Sequence, residues 1–151
     1  MNLLLFPLSL LLGYSPPKAP VIELKGYYEC QGGLLASGQG SLACYAPTQQ
    51  GCQRGKVILA SEKRVNSSTE KTRFTIVDTV QLTLRSPNSL TIARCTTATG
   101  QTSMYFVFCT HDALGSKYLR HVRRIWGVNK QGRLVEVPAR AVKCLNDDFG
   151  A

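Results

Sequence analysis

The sequence predicts one α+β domain, in which a short helix packs on an antiparallel sheet of four to five strands and disulfides staple the chain. Three observations support this prediction. One segment has the polar and apolar pattern of a helix, a long run of β-forming residues follows it, and six cysteines occur in 151 residues. A helix followed by consecutive strands is typical of α+β domains.

The N-terminal segment predicts secretion. Residues 3–12 read LLLFPLSLLL, which has the length of a signal-peptide core and is too short to span a bilayer. We expect cleavage between Gly13 and Pro20, so that residues 1–20 are signal peptide and leader and residues 21–151 form the domain. The alternative is that the apolar run stays in the fold as a strand or helix. No other segment is apolar enough for a membrane span.

The elements of the domain follow in chain order. Residues 21–30, VIELKGYYEC, alternate as a strand does, whereas the glycine-, serine- and glutamine-rich residues 31–55 predict loop and turns. Residues 56–66, KVILASEKRVN, predict the helix. Segments rich in β-branched and aromatic residues predict strands at 73–85, 89–97, 102–110, 123–130 and 132–142. The NKQGR sequence predicts a hairpin between the last two strands, because Gly132 can adopt a left-handed turn conformation.

The cysteines predict disulfides and no metal site. None of the six lies in a CxxC spacing, and neither His111 nor His121 has a ligand-like partner nearby. We therefore predict no metal and no cofactor. An even number of cysteines without metal-ligand spacing is typical of an oxidising compartment. The sequon Asn66-Ser67-Ser68 also predicts a surface glycosylation site in a secreted eukaryotic protein.

The net charge of +9 favours polyanionic partners such as nucleic acid, anionic lipid or acidic cell-wall polysaccharide, and it does not choose among them. A local cluster, RHVRR, lies at residues 120–124, between two aromatic residues. Basic groups contact phosphates while aromatic faces stack on bases. The candidate nucleic-acid-binding residues are Tyr118, Arg120, His121, Arg123, Arg124 and Trp126. The alternative is a basic strand edge in which Ile125 and Trp126 divide between core and surface.

The sequence carries no recognisable catalytic motif. It lacks G-x-S-x-G, H-E-x-x-H and a phosphate-binding loop, and it has two histidines, which fall in a predicted loop. Burial of cysteines in disulfide pairs also disfavours a cysteine nucleophile. The motifs of the sequence therefore do not predict catalysis.

The Y-x-C motif Tyr28-Glu29-Cys30 resembles the motif that follows the signal peptide in ribonuclease-like secreted effectors of powdery mildew and related plant-pathogenic fungi. The layout of leader, motif, one helix, several strands and a cysteine near the C-terminus is also similar to that class. The resemblance implies a ribonuclease-like fold and a disulfide between Cys30 and Cys144. Three pairings are open to the other four cysteines, and we favour Cys44 with Cys52 and Cys95 with Cys109.

The same resemblance implies a virulence effector that is delivered into host cells, binds a host protein or host RNA, and is recognised by a plant immune receptor. Fungal guanyl-specific ribonucleases use a carboxylate, a histidine and an arginine on adjoining strands. Here the middle strands carry Asp78, Arg85 and Arg94 but no glutamate and no histidine. The resemblance thus implies an inactive relative of these enzymes.

Two alternatives stay open. The first is an active secreted ribonuclease with a rearranged site, built from His111 or His121 with Arg123 and with Asp112 or Glu136. The second is a cationic disulfide-rich toxin or antimicrobial protein, which the absence of a strongly amphipathic basic helix disfavours.

Overall fold

The computed structural model of the protein describes residues 24–65, 73–110 and 115–150. These residues form nine β-strands in two antiparallel sheets. The strands are β1 (Tyr28–Leu34), β2 (Gly40–Ala46), β3 (Gly55–Val65), β4 (Arg73–Leu84), β5 (Asn88–Thr97), β6 (Thr102–Thr110), β7 (Val122–Val128), β8 (Leu134–Val137) and β9 (Val142–Cys144). Two 3-10 turns, Gln50–Cys52 and Ala139–Ala141, are the only helical segments in this part of the chain. None of the described helical segments has the length and apolarity that a membrane crossing requires.

The two sheets pack face to face as a β-sandwich. In the first sheet β1 to β4 follow one another in order, whereas the second sheet has the order β8-β7-β6-β5-β9. Apolar side chains from both sheets form the main core: Leu42, Cys44, Ala46, Val57, Leu59, Leu82, Leu84, Ile92, Phe106, Trp126 and Leu134. Burial of these two inner faces against each other stabilises the sandwich.

The predicted α+β class is wrong, because residues 56–65 of the predicted helix form a strand instead. Residues 55–65 form β3, which lies between β2 and β4 in the first sheet. Its side chains from Val57 to Ser61 are buried without interruption. A short apolar run of this kind fits a fully covered strand as well as a buried helix. Pairing on both edges and burial on both faces select the strand, so the described residues show no ribonuclease-like packing of a helix on a sheet.

The prediction of loop is also wrong for residues 31–34 and 40–46, which belong to β1 and β2. β1 and β2 form an antiparallel hairpin there, and the chain turns between them through Gly38, which has a φ of +66°. Glycine adopts this left-handed conformation without steric cost, so the small residues that suggested a loop serve the turn of a hairpin. Residues 24–27 form a turn, in which the Tyr27 amide donates to the Leu24 carbonyl, instead of the predicted strand.

The strands predicted at 73–85, 89–97, 102–110 and 123–130 are confirmed as β4, β5, β6 and β7. The hairpin at NKQGR is confirmed as well, with Gly132 at a φ of +79°. The last predicted strand, 132–142, divides into β8, a 3-10 turn and the start of β9.

Side chains close the two sides of the sandwich where the sheets do not pair. On one side, the Gln31 amide donates to the Leu90 carbonyl (3.1 Å) and accepts from the Ile92 amide (3.0 Å). A single side chain on β1 thereby satisfies the open edge of β5 as a neighbouring strand would. On the other side, Asp78 accepts from the Leu134 amide at 2.9 Å.

A second, smaller core lies on the face of the second sheet that points away from the first sheet. Its buried members alternate along the strands with main-core residues. They are Ala93, Cys95, Val107, Cys109, Ile125 and Cys144. Leu119, from the segment that precedes β7, packs over this face together with Ala139 and Val142. The segment 115–121 is therefore a covering layer of the second sheet.

The prediction of disulfides is confirmed for two pairs, but the three predicted pairings are wrong. The bonds join Cys30 to Cys52 and Cys95 to Cys144. Cys44 and Cys109 are free and buried. Cys95 lies directly opposite Cys144 in the β5–β9 register, whereas Cys109 lies opposite Ser89. Six residues of strand, about 20 Å, separate Ser89 from Cys95, which is too far for a Cys95–Cys109 bond.

The pairing of Cys30 follows from the hairpin. Cys44 points into the main core between the sheets, while Cys52 lies in the 3-10 turn after β2 and reaches Cys30 on the neighbouring strand β1. The chain ends are therefore not joined through Cys30 and Cys144. The leader (residues 1–20) and the sequon at Asn66 lie outside the described residues.

Candidate polyanion-binding site

The structure divides the predicted nucleic-acid-binding residues between core and surface. Trp126 is only 2% exposed and belongs to the main core, so it has no face available for stacking on a base. Arg124 donates two hydrogen bonds to Glu136, at 2.9 and 2.8 Å, and its guanidinium lies 4.6 Å from the centre of the Trp126 ring. The guanidinium of Arg124 thus forms a bidentate ion pair with the Glu136 carboxylate.

The hydrogen bonds between these two side chains raise the pKa of Arg124 and lower that of Glu136. Both groups are therefore charged and paired at neutral pH. Arg124 is not a free phosphate ligand, and Glu136 is not a free general base for the ribonuclease alternative. His111 and Asp112, which that alternative also invokes, lie outside the described residues.

Three further predicted residues lie around the start of β7. His121 has a φ of +52°, and its carbonyl accepts from the Thr110 amide at 3.3 Å. Histidine is among the few non-glycine residues enriched in this left-handed region, so His121 has a clear role in the turn. Arg120 and Arg123 are exposed. Arg123 is the extra residue of a β-bulge against β6, which holds it at the rim of the second sheet.

Tyr118 is the predicted residue around which a site forms. Its side chain is 42% exposed. A cavity of about 600 Å³ opens beside it, at the edge of the second sheet. The residues that line this cavity are Thr96, Thr97, Ala98, Lys117, Tyr118, Arg140, Ala141, Val142, Lys143 and Leu145. We call it the Tyr118 pocket.

Three cations line the Tyr118 pocket, and none of them is among the binding residues predicted from the sequence. They are Lys117, Arg140 and Lys143. The ammonium groups of Lys117 and Lys143 lie 5.8 and 5.9 Å from the centre of the Tyr118 ring, at the outer limit of a cation–π contact. Such distant contacts hold the lysines loosely and leave their ammonium groups able to turn towards an anion.

No acidic side chain lines the Tyr118 pocket. The ion pairs in the described part of the chain are Arg124 with Glu136 and, at 4.0 Å, Arg133 with Asp78. Neither involves a residue of the Tyr118 pocket. Three positive charges around one cavity produce a local positive potential, which attracts anions.

β9 holds the pocket together. Lys143 lies within β9, and Arg140 lies in the 3-10 turn before it. The Leu119 amide donates to the Cys144 carbonyl at 2.9 Å, and the Asn146 amide donates to the Lys117 carbonyl at 2.9 Å. The covering segment that carries Lys117 and Tyr118 is therefore attached to the chain at β9 by main-chain hydrogen bonds.

This attachment explains which residues of the Tyr118 pocket could be predicted from the sequence and which could not. Lys117 precedes Tyr118 in the chain, so a basic–aromatic pair was visible at that point. Arg140 and Lys143 are distant in sequence and join the site only because Tyr118 pairs with Leu145. No local pattern predicts that pairing.

A second polar cluster, on the outer face of the first sheet, is internally satisfied. Glu62 accepts hydrogen bonds from the Tyr45 hydroxyl at 2.5 Å and from the Ser41 hydroxyl at 2.6 Å. Burial, and then the hydrogen bond to Glu62, raise the pKa of Tyr45 far above its ordinary value of 10.0. Both hydroxyl protons point at the carboxylate, so the cluster has a structural role.

The free thiols are poor nucleophiles. Burial raises the pKa of Cys44 to about 12 and also raises the pKa of Cys109. Both stay protonated at neutral pH, and the thiolate is the reactive form of cysteine. In the described ranges no three histidine, cysteine, aspartate or glutamate side chains come together in a way that could hold a metal ion.

Comparisons of the chain with models of protein families, with curated proteins and with solved structures find no match.

Proposed function

We propose that this protein is a secreted binding protein that holds single-stranded RNA in the Tyr118 pocket and does not act as an enzyme. The observation that carries this proposal is the group of three cations, Lys117, Arg140 and Lys143, around the exposed ring of Tyr118. Proteins that bind single strands combine a positively charged groove for the backbone with aromatic rings for the bases.

The pocket favours RNA over other polyanions. A base can stack on Tyr118 when the two lysines turn from the ring towards the phosphates. The hydroxyls of Thr96 and Thr97 line the same cavity and can bond to phosphate oxygens or to a 2′-hydroxyl. Anionic lipid and acidic polysaccharide present no base to the ring.

A role in virulence is a further part of the proposal, and it rests on the leader and on the Y-x-C motif at Tyr28 and Cys30. The β-sandwich and the Cys30–Cys52 bond remove the other features of the resemblance to ribonuclease-like effectors. In that setting the RNA would be a host component.

Removal of the three pocket cations tests the binding. The variant Lys117→Ala/Arg140→Ala/Lys143→Ala should weaken binding of a labelled single-stranded oligoribonucleotide of about ten nucleotides by at least about tenfold. The slope of log K against log salt should fall by about 2, because each phosphate contact on a single strand contributes about 0.7. Fluorescence anisotropy at several salt concentrations measures both quantities.

A second triple variant, which removes three positive charges from another surface, is the matched control. Arg54, Lys56 and Arg64 are exposed residues in and before β3. Their triple alanine variant should keep most of the affinity if the Tyr118 pocket is the site. Equal losses in the two triple variants would show that RNA responds only to net charge, and heparin competing as well as RNA would point to a general polyanion site.

A further inference from the structure

The Cys95–Cys144 disulfide links the chain positions next to Thr96 and Lys143, which line the Tyr118 pocket. It joins the three-residue strand β9 to β5, and the two strands share only three register pairs, Cys95 with Cys144, Thr96 with Lys143 and Thr97 with Val142. A strand of three residues at a sheet edge has few hydrogen bonds of its own to hold it in place. The covalent bond therefore carries a large share of the attachment of β9.

The three cations and the ring of Tyr118 depend on the position of β9. Lys143 is one of its three residues, and Arg140 precedes it by two. Tyr118 bridges to Leu145, immediately after β9. If β9 leaves β5, the cations and the ring lose their common support.

The main core does not depend on β9. Neither Cys95 nor Cys144 belongs to the core between the two sheets, since both lie in the second core on the opposite face. Trp126, the only tryptophan of the chain, lies in the main core. The sandwich can thus persist while the second core and the pocket open.

We propose that the Cys95–Cys144 disulfide is a redox switch of the Tyr118 pocket, which is assembled while the bond exists and comes apart when a low-molecular-weight thiol reduces it. In this step two thiol molecules give up two electrons and two protons and leave as one disulfide. The Sγ–Sγ bond breaks, and Cys95 and Cys144 each become a thiol. The proposal rests on the proposed function only for its RNA-binding readout.

The two disulfides differ in how easily a reducing thiol can reach their sulfur atoms. Reduction of Cys95–Cys144 can therefore be distinguished from reduction of Cys30–Cys52. Cys95 is fully buried and Cys144 is 4% exposed, whereas Cys30 and Cys52 are partly exposed. A thiolate must reach a sulfur atom in order to attack it. We expect Cys30–Cys52 to be reduced first without loss of RNA binding, and Cys95–Cys144 to follow more slowly, with loss of binding.

Two matched double variants of the full chain test this inference. Cys95→Ala/Cys144→Ala should bind the single-stranded oligoribonucleotide at least about tenfold more weakly than the oxidised wild type, while Trp126 fluorescence stays that of the folded protein. Cys30→Ala/Cys52→Ala is the control, because it also removes one disulfide and should bind as the wild type does. Reduction of the wild type, followed by thiol alkylation and mass spectrometry, should show binding lost in step with the Cys95–Cys144 bond.

Several outcomes would overturn the switch. It is wrong if Cys95→Ala/Cys144→Ala binds as tightly as the wild type, or if the control pair loses as much affinity. If the variant does not fold, reduction of the wild type decides: simultaneous loss of the Trp126 signal and of binding means that the bond holds the whole sandwich and not the pocket.

The switch can also be tested without RNA, so that failure of the proposed RNA binding and failure of the switch are distinguishable. If the oxidised wild type binds no RNA, hydrogen exchange of the Leu119, Leu145 and Asn146 amides still tests the switch. These amides donate to main-chain carbonyls of Cys144, Arg94 and Lys117. Their protection should fall at least about tenfold on reduction of Cys95–Cys144, while main-core amides stay protected, and unchanged protection would overturn the switch.

Discussion

At the scale of single residues, Arg124 and Trp126 show why a basic–aromatic sequence pattern does not specify a binding surface. The cluster at 120–126 has the composition of an RNA-binding segment, yet alternation along β7 directs Trp126 into the main core and places Arg124 beside Glu136. Glu136 lies on the neighbouring strand β8, so the sequence of β7 alone could not reveal the pair. Tyr118, which precedes the strand, escapes this alternation and stays exposed.

The Arg124–Glu136 pair predicts a small pH dependence of stability. The pair lowers the pKa of Glu136 below its ordinary 4.5, so its contribution is complete above that pH and is lost as the pH falls through the lowered value. Both side chains are nearly half exposed, which limits the contribution to about 0.2–1 kcal/mol. Glu136→Gln should therefore melt up to about 4 °C below the wild type at pH 7. Calorimetry between pH 7 and pH 3 should show this difference shrink below about pH 4.5.

The exposed Glu29, which forms no ion pair in the described part of the chain, supplies the control. Glu29→Gln should leave the melting profile parallel to that of the wild type. A Glu136→Gln difference that persists unchanged at pH 3 would contradict a role for the carboxylate charge.

At the scale of elements, the strongly β-forming segments were predictable and the ambiguous ones were not. β4 to β7 are rich in β-branched and aromatic residues and are bounded by turn residues, so local preference and tertiary structure agree. In β3 the apolar run from Val57 to Ala60 fits either a helix or a covered strand, and only its neighbours β2 and β4 decide. β2 and the second half of β1 were missed because Gly32, Gly33 and Gly40 suggest loop, whereas close packing accounts for two of them. A Cβ atom at Gly40 would lie 2.8 Å from the Glu62 carbonyl oxygen, and one at Gly33 3.2 Å from Ile92.

The contact between β1 and β5 predicts a large effect of one glutamine. Gln31→Ala leaves the Leu90 carbonyl and the Ile92 amide without their partner at a partly buried edge. Loss of both bonds should lower the free energy of unfolding by about 1–3 kcal/mol. Gln31→Glu keeps an acceptor for Ile92 but places a carboxylate against the Leu90 carbonyl, and at neutral pH it should destabilise at least as much.

Urea denaturation followed by Trp126 fluorescence measures these changes, because Trp126 reports on the main core. Gln53→Ala is the control, since Gln53 is exposed beside the first sheet and its side chain forms no hydrogen bond within the described residues. If Gln31→Ala is as stable as Gln53→Ala, the side-chain closure of the sandwich has no energetic role.

At the scale of the whole molecule, the cysteine content predicted the presence of disulfides, but neither the fold nor the pairing could be predicted. The net charge of +9 and the six cysteines are visible in the sequence. The order of the second sheet, β8-β7-β6-β5-β9, requires the last strand to return beside β5. That return brings Cys144 opposite Cys95 and Lys143 beside Tyr118, and it depends on contacts between residues far apart in the chain. One long-range pairing thus determines both a disulfide and the candidate site.

RNA binding at the Tyr118 pocket is tested most directly by an NMR titration of the ¹⁵N-labelled, disulfide-intact protein with a short single-stranded RNA. We predict that the amide signals that shift are concentrated in residues 115–119 and 140–146, which surround the Tyr118 pocket. The signals of β1 to β4 should stay in place. Shifts confined to the first sheet, shifts spread evenly over all exposed basic residues, or no shifts at low salt would contradict RNA binding at this pocket.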